Sequence, residues 1–110
     1  MIHVKLILQK ENQLECVASG HAGFAEKGKD IVCAAVTCLL RTTAETLSKE
    51  SFLEVIFEAP ERGYLRLIAR KKAAVQKQGD ILDYAGNFLV TGIKSLQKEF
   101  PEYVLLEIKA

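Results

Sequence analysis

A thiol, an imidazole and a run of glycines fall within one stretch, GHAGFAEKGKDIVCAAVTCLL, residues 20–40. A cysteine with a histidine in reach can lose its proton and attack a carbonyl, the chemistry of a cysteine hydrolase. Here the pair is His21 and Cys33. Gly20, Gly23 and Gly28 suit a flexible loop that turns sharply or lies close to a bound partner. From Ile31 to Leu40 the residues are almost all apolar and the run continues through Ala44 and Leu47, which predicts a helix from about Ile31 to about Lys49. Asp30 then reads as its N-cap and Cys33 as its third residue, beside unpaired amides and the positive end of the helix dipole, both of which favour the thiolate. Asp30 opposes this if it faces the sulfur and orients the ring if it faces His21; both arrangements are open. By spacing alone a buried structural cysteine is the simpler reading.

SGHAGFAEKGKDIVCAAVT, residues 19–37, resembles the motif of the ribosomal-processing cysteine proteases, the Prp family. That motif reads glycine-histidine-alanine, a short glycine-containing loop, then aspartate-isoleucine-valine-cysteine-alanine-alanine-valine-serine. The resemblance implies that Cys33 is the nucleophile and His21 its base, with Asp30 and the Thr37 hydroxyl in support. It further implies an endopeptidase that acts as a homodimer and removes the N-terminal extension of large-subunit ribosomal protein twenty-seven. The family usually has serine where this chain has Thr37, which keeps a hydroxyl one turn after Cys33 on the same face. A helical threonine can also return that hydroxyl to its own backbone, so two destinations are open. A hydrophobic cleavage motif would need an apolar groove beside Cys33, for which Phe24, Ile31 and Phe88 are candidates.

Lys and Arg total 15 against 14 Asp and Glu, without the basic surplus that marks a nucleic-acid binder. The rival to proteolysis is a non-enzymatic ribosome-associated or RNA-binding module, with Cys33 packed in the core and Arg70, Lys71 and Lys72 as its footprint, Lys77 lying further on. A solvated turn is the simpler reading of those charges. No cofactor is expected, and no metal, because His21 and Cys33 lack CxxC or HxxxH companions. Three cysteines, an odd number, with neither a secretory leader nor a membrane-length apolar segment, point to a reducing cytoplasm.

The remaining pattern must position the pair. Ile2, Val4, Leu6 and Leu8 alternate with His3, Lys5, Ile7 and Gln9, and Leu14, Cys16 and Ala18 with Glu15, Val17 and Ser19, giving a hairpin whose second strand delivers Gly20 and His21. Cys16 reads as inward, and His3 as outward on an edge strand. Cys38, five positions and about 500° after Cys33, reads as core rather than as a resolving thiol. Residues 52–59 and 63–69 predict a second hairpin. Asp80 opens a helix whose apolar residues include Ile81, Ala85, Phe88, Leu89 and Leu96; Gly92 within it marks a close approach to the first helix or the sheet. Val104, Leu106 and Ile108 predict a closing strand. The expected fold is α/β (α+β): one domain over residues 1–110, two helices on a mixed, mostly antiparallel five-stranded sheet, in the order ββαββαβ.

Overall fold

The alternation at the start of the chain becomes β1 (Ile2–Ile7) and β2 (Gln13–Ser19), whose Ile2, Val4, Leu6, Leu14, Cys16 and Ala18 are all buried on one face. The structure, a computed structural model, describes residues 1–8, 12–20, 27–61, 63–72 and 80–109, and at 27–30 and 80 the backbone alone. Helix α1 (Lys27–Ser48), strands β3 (Leu53–Glu61) and β4 (Tyr64–Lys71), helix α2 (Asp80–Glu99) and strand β5 (Val104–Lys109) follow. This is the expected element order.

The five strands form one sheet in the order β3-β4-β2-β1-β5. Its pairs are antiparallel except β1 with β5, which run parallel with Val4 opposite Leu106. The crossover through α2 makes that parallel pair possible. It also places β1 inside the sheet, so His3 is not at an edge as expected; it stands on the open face, its Nε2 3.2 Å from Glu107 Oε1. Pro60 lies within β3, where an edge strand and a register shift between Glu58 and Glu61 accommodate its missing N–H. On the open face Arg66 bridges Glu15 and Glu58, and Arg70 meets Glu54.

Both helices cover the other face, α1 over β3 and β4 and α2 over β5, β2 and β1. Val32, Val36, Leu40, Ala44 and Leu47 from α1 meet Leu89 and Ile93 from α2 in the core. Contrary to expectation, the chain does contain a segment long and apolar enough to cross a membrane: Ile31–Ser48, 18 residues of mean hydropathy 1.3. Its buried stripe against the sheet makes it the core helix of this domain.

Gly92 is where the helices touch. A Cβ there would lie 3.0 and 3.1 Å from the two Leu39 methyls, tight contacts with a flexible side-chain end. Gly92→Ala is therefore expected to change stability by less than about 1 kcal/mol, helix propensity offsetting the squeeze. Gly92→Leu must displace Leu39 and is expected to cost about 2 kcal/mol. Chemical denaturation of both variants checks the contrast, and an equal loss in both would remove Leu39 as its cause.

Candidate active site

The chain reaches α1 from the end of β2, and that end is pinned. Gly20 has φ of +91°, and its N–H donates to Gly63 O at 3.1 Å, tying β2 to the start of β4. A Cβ on Gly20 would sit 2.6 Å from Met1 O, so the start of β1 crowds the same point. His21 and Gly23 lie outside the described residues. The described chain resumes at Lys27, already helical.

The helix thus begins four residues before the expected Ile31. Asp30 is its fourth residue rather than its N-cap, and Gly28 is helical rather than part of the loop. Cys33 falls in the second turn, past the four amides that a helix leaves unpaired. The first-turn N–H groups therefore belong to residues 27–30, and whatever bias the dipole gives the sulfur acts from one turn away.

Cys33 is half-buried and packs against the core cluster, between the fully buried Val32 and Val36. Thr37 sends its hydroxyl to Cys33 O at 2.7 Å, so of its two destinations the structure shows the backbone. That bond holds the carbonyl of the cysteine one turn back, as Thr43 does for Leu39 and Ser48 for Ala44. Leu39, the contact to α2, lies six positions and about 120° round the helix from Cys33, so the thiol's flank is turned away from α2.

None of the three cysteines is in a disulfide. Cys16 is inward as expected; burial, with a smaller contribution from the Glu15 charge, pushes its thiol up to about 12. Cys38 departs from expectation: it is exposed on the outer side of α1, with Sγ 3.8 Å from Thr42 Oγ1.

The groove candidates separate. Ile31 is 49% exposed, but two positions before Cys33 is about 200° of helix, the opposite flank. Phe88 lines a groove of about 370 Å³ with Thr42, Thr46, Ile81 and Tyr84. Thr42 is nine residues, about 14 Å, along α1 from the sulfur, so this groove is not beside it. Phe24 lies outside the described residues. Arg70 and Lys71 alternate on β4 and point to opposite faces, so with Lys72 they do not make one basic patch; Lys77 lies outside the described residues. Among the described residues no group of three or more His, Cys, Asp or Glu could hold a metal ion.

The S. aureus ribosomal processing protease Prp, solved with a substrate peptide, superposes with a TM-score of 0.77 at 20% identity, covering 99% of this chain and 100% of that one. The same protease with a covalently linked product peptide gives 0.73 at 21%, covering 99% and 100%. SMU.848 from Streptococcus mutans gives 0.72 at 26% identity, covering 99% and 94%. No curated protein sequence matches the chain. The family model described as Cysteine protease Prp matches residues 1–105, nearly the whole domain with Cys33 and its helix inside it, and the chain therefore belongs to the Prp family of cysteine proteases.

Proposed function

We propose that this protein is an endopeptidase that uses Cys33 as nucleophile and His21 as base to remove the N-terminal extension of large-subunit ribosomal protein twenty-seven. The observation that carries the reading is a half-buried thiol on a helix anchored in the core, reached through a short segment that holds the histidine, in a chain matched by the protease family over residues 1–105. The peptide complexes of the S. aureus ribosomal processing protease, which share this fold, support a peptide substrate. The imidazole takes the thiol proton, sulfur attacks the scissile carbonyl, and the imidazolium returns the proton to the departing amine. Water, deprotonated by the same imidazole, then releases the acyl group as a carboxylic acid. Asp30 is the candidate to orient the ring, while Thr37 acts on the cysteine's backbone. The setting is the cytoplasm and the working unit a homodimer. The separated Arg70 and Lys71 leave the RNA-binding alternative without a footprint among the described residues.

Alkylation of the folded chain at neutral pH tests the pair. Cys16 is expected to stay unlabelled, its thiol buried and held at about 12. Cys38, being exposed, is open to the reagent, so Cys38→Ser provides the clean background. Cys33 is expected to label about tenfold faster than Cys38 and to lose that advantage in His21→Ala. A Cys33 slower than Cys38 in the wild-type chain would overturn the assignment.

A further inference from the structure

Strand β5 ends the sheet, so half of its backbone groups look outward. Ile2 N–H donates to Tyr103 O and Leu8 N–H to Lys109 O, both at 2.7 Å, which turns the odd-numbered residues of β5 toward β1. The N–H and C=O groups of Val104, Leu106 and Ile108 therefore lie along the free edge. One of these is already engaged, since Leu106 N–H donates to Gln97 Oε1 at 3.2 Å. A carboxamide oxygen from α2 thus stands where the carbonyl of a further strand would stand, at the long end of a hydrogen bond.

Beside that edge α2 and β5 leave an open groove of about 460 Å³, lined by Lys94, Gln97, Lys98, Pro101, Leu106 and Ile108. Its floor is apolar and its wall basic. Both lysines are exposed, and among the described residues neither is in an ion pair. No carboxylate of the described residues lines the groove; Glu107 of β5 is on the opposite face, where it meets His3. Lys94 and Lys98 are one helical turn, about 6 Å, apart. Alternate residues of an extended chain share a face at about 7 Å, nearly the same spacing. A glutamate suits each of two such positions, its methylenes against Leu106 or Ile108 and its carboxylate on an ammonium group. A second copy of β5 is the wrong occupant, because a twofold at this edge would set Lys94 and Lys98 against their own counterparts.

We infer that the edge of β5 takes up an extended segment of a partner protein as an added strand, with glutamates at alternate positions facing Lys94 and Lys98. Carbonyls of the segment accept from the N–H groups of Leu106 and Ile108, and Gln97 swings out of the slot it holds. A strand of six residues, an exposed lysine at its end and the Gln97 cap guard the edge against indiscriminate pairing, and the two unpaired lysines open it to an acidic segment. Lys94 and Gln97 lie about 200° and 140° round α2 from Gly92, the contact with α1, so the groove is on the side of α2 away from the helix that bears Cys33. A bound segment leaves the thiol open, and the inference is independent of Cys33 chemistry, which the alkylation experiment reads separately.

Fluorescence anisotropy tests it, with a labelled, end-capped heptapeptide that has glutamate at its third and fifth positions, valine between and beside them, and serine at both ends. The full chain is expected to bind this probe at least about tenfold more tightly than the same peptide with lysine in place of glutamate. Lys94→Glu combined with Lys98→Glu, both at exposed positions, should reverse that preference. Ile108→Pro removes an outward N–H and leaves the inner ladder to β1 in place, so it should weaken binding about fivefold or more, the scale of one lost hydrogen bond, with both lysines intact. Circular dichroism melts of the variants separate lost binding from lost folding. No saturable binding of the glutamate peptide, a preference that survives the charge reversal, or a folded Ile108→Pro chain that binds as tightly as wild type would overturn the added strand.

Discussion

Cys33→Ala is expected to lower peptide cleavage by about 10⁴-fold or more while leaving the melting temperature within a few degrees of wild type. The first half follows from the covalent catalysis proposed above, in which no acyl-enzyme forms without the sulfur and the rest of the site is left with binding and orientation alone. The second half follows from where the residue sits. Cys33 is half-buried, and its fully buried neighbours Val32 and Val36 hold α1 to the sheet, so trimming one sulfur removes a small part of the helix's packing. The Thr37 bond to the carbonyl of residue 33 uses backbone and survives the change. The measurement is a discontinuous assay on a peptide spanning the ribosomal-protein extension, with circular dichroism melts alongside. Cleavage within tenfold of wild type would rule out this nucleophile, and a collapsed melt would recast Cys33 as a packing residue.

How much of this was legible before any coordinates divides along physical lines. Elements whose period repeats over several residues were legible: the two-residue alternation of Ile2 to Leu6 and of Leu14 to Ala18 emerges as β1 and β2 with those faces buried, and the helical spacing of Ile81, Ala85, Phe88, Leu89 and Leu96 as α2, with Ala85 and Leu89 buried, Ile81 and Leu96 half-buried and Phe88 exposed. Gly92 was legible too, since a glycine amid good helix formers needs a reason, and Leu39 is that reason. Three features were not. The start of α1 was placed late because Asp30 is a good cap and Gly28 a poor helix former. A helix stabilised by the buried turns at Val32 and Val36 instead propagates back through Asp30 to Lys27. The exposure of Cys38 was hidden because the run from Ile31 to Leu40 is apolar all round, and period alone cannot show which side lacks a covering layer. The interior position of β1, and so the open-face setting of His3, depends on β5 arriving in parallel about a hundred residues later, a long-range pairing with no local sign.

The site was legible as a set of residue types rather than as a geometry. The thiol lies half-buried in the second turn of α1 and Gly20 follows the last residue of β2, while the groove lined by Phe88, one of the three groove candidates, belongs to the other end of α1. What the structure adds is the mechanical frame: a strand end fixed by Gly20 and a helix fixed by its buried stripe, with His21 on the chain between them.

That frame makes Gly20, among the described glycines, the position at which one added methyl group does the most damage. Gly20→Ala is expected to cost about 3 kcal/mol, lowering the melting temperature by more than about 10 °C. Two causes act together. A φ of +91° is one that side-chain-bearing residues rarely adopt, and the new Cβ would stand 2.6 Å from Met1 O. That oxygen cannot step aside cheaply. The next residue, Ile2, is fully buried, and its N–H donates to Tyr103 O at 2.7 Å, so moving Met1 pulls on both β1 and β5. Relief by moving Gly20 instead would break its 3.1 Å bond to Gly63 O and displace the residue that precedes His21. Cleavage is therefore expected to fall further than the folded fraction does. Gly20→Asn separates the causes, since asparagine tolerates positive φ but carries the same Cβ. If the contact with Met1 dominates, Asn and Ala lose stability within about 1 kcal/mol of each other, whereas a much milder Asn variant would put the cost in φ alone. An alanine variant as stable as wild type would mean that the end of β2 is not pinned against β1 in solution.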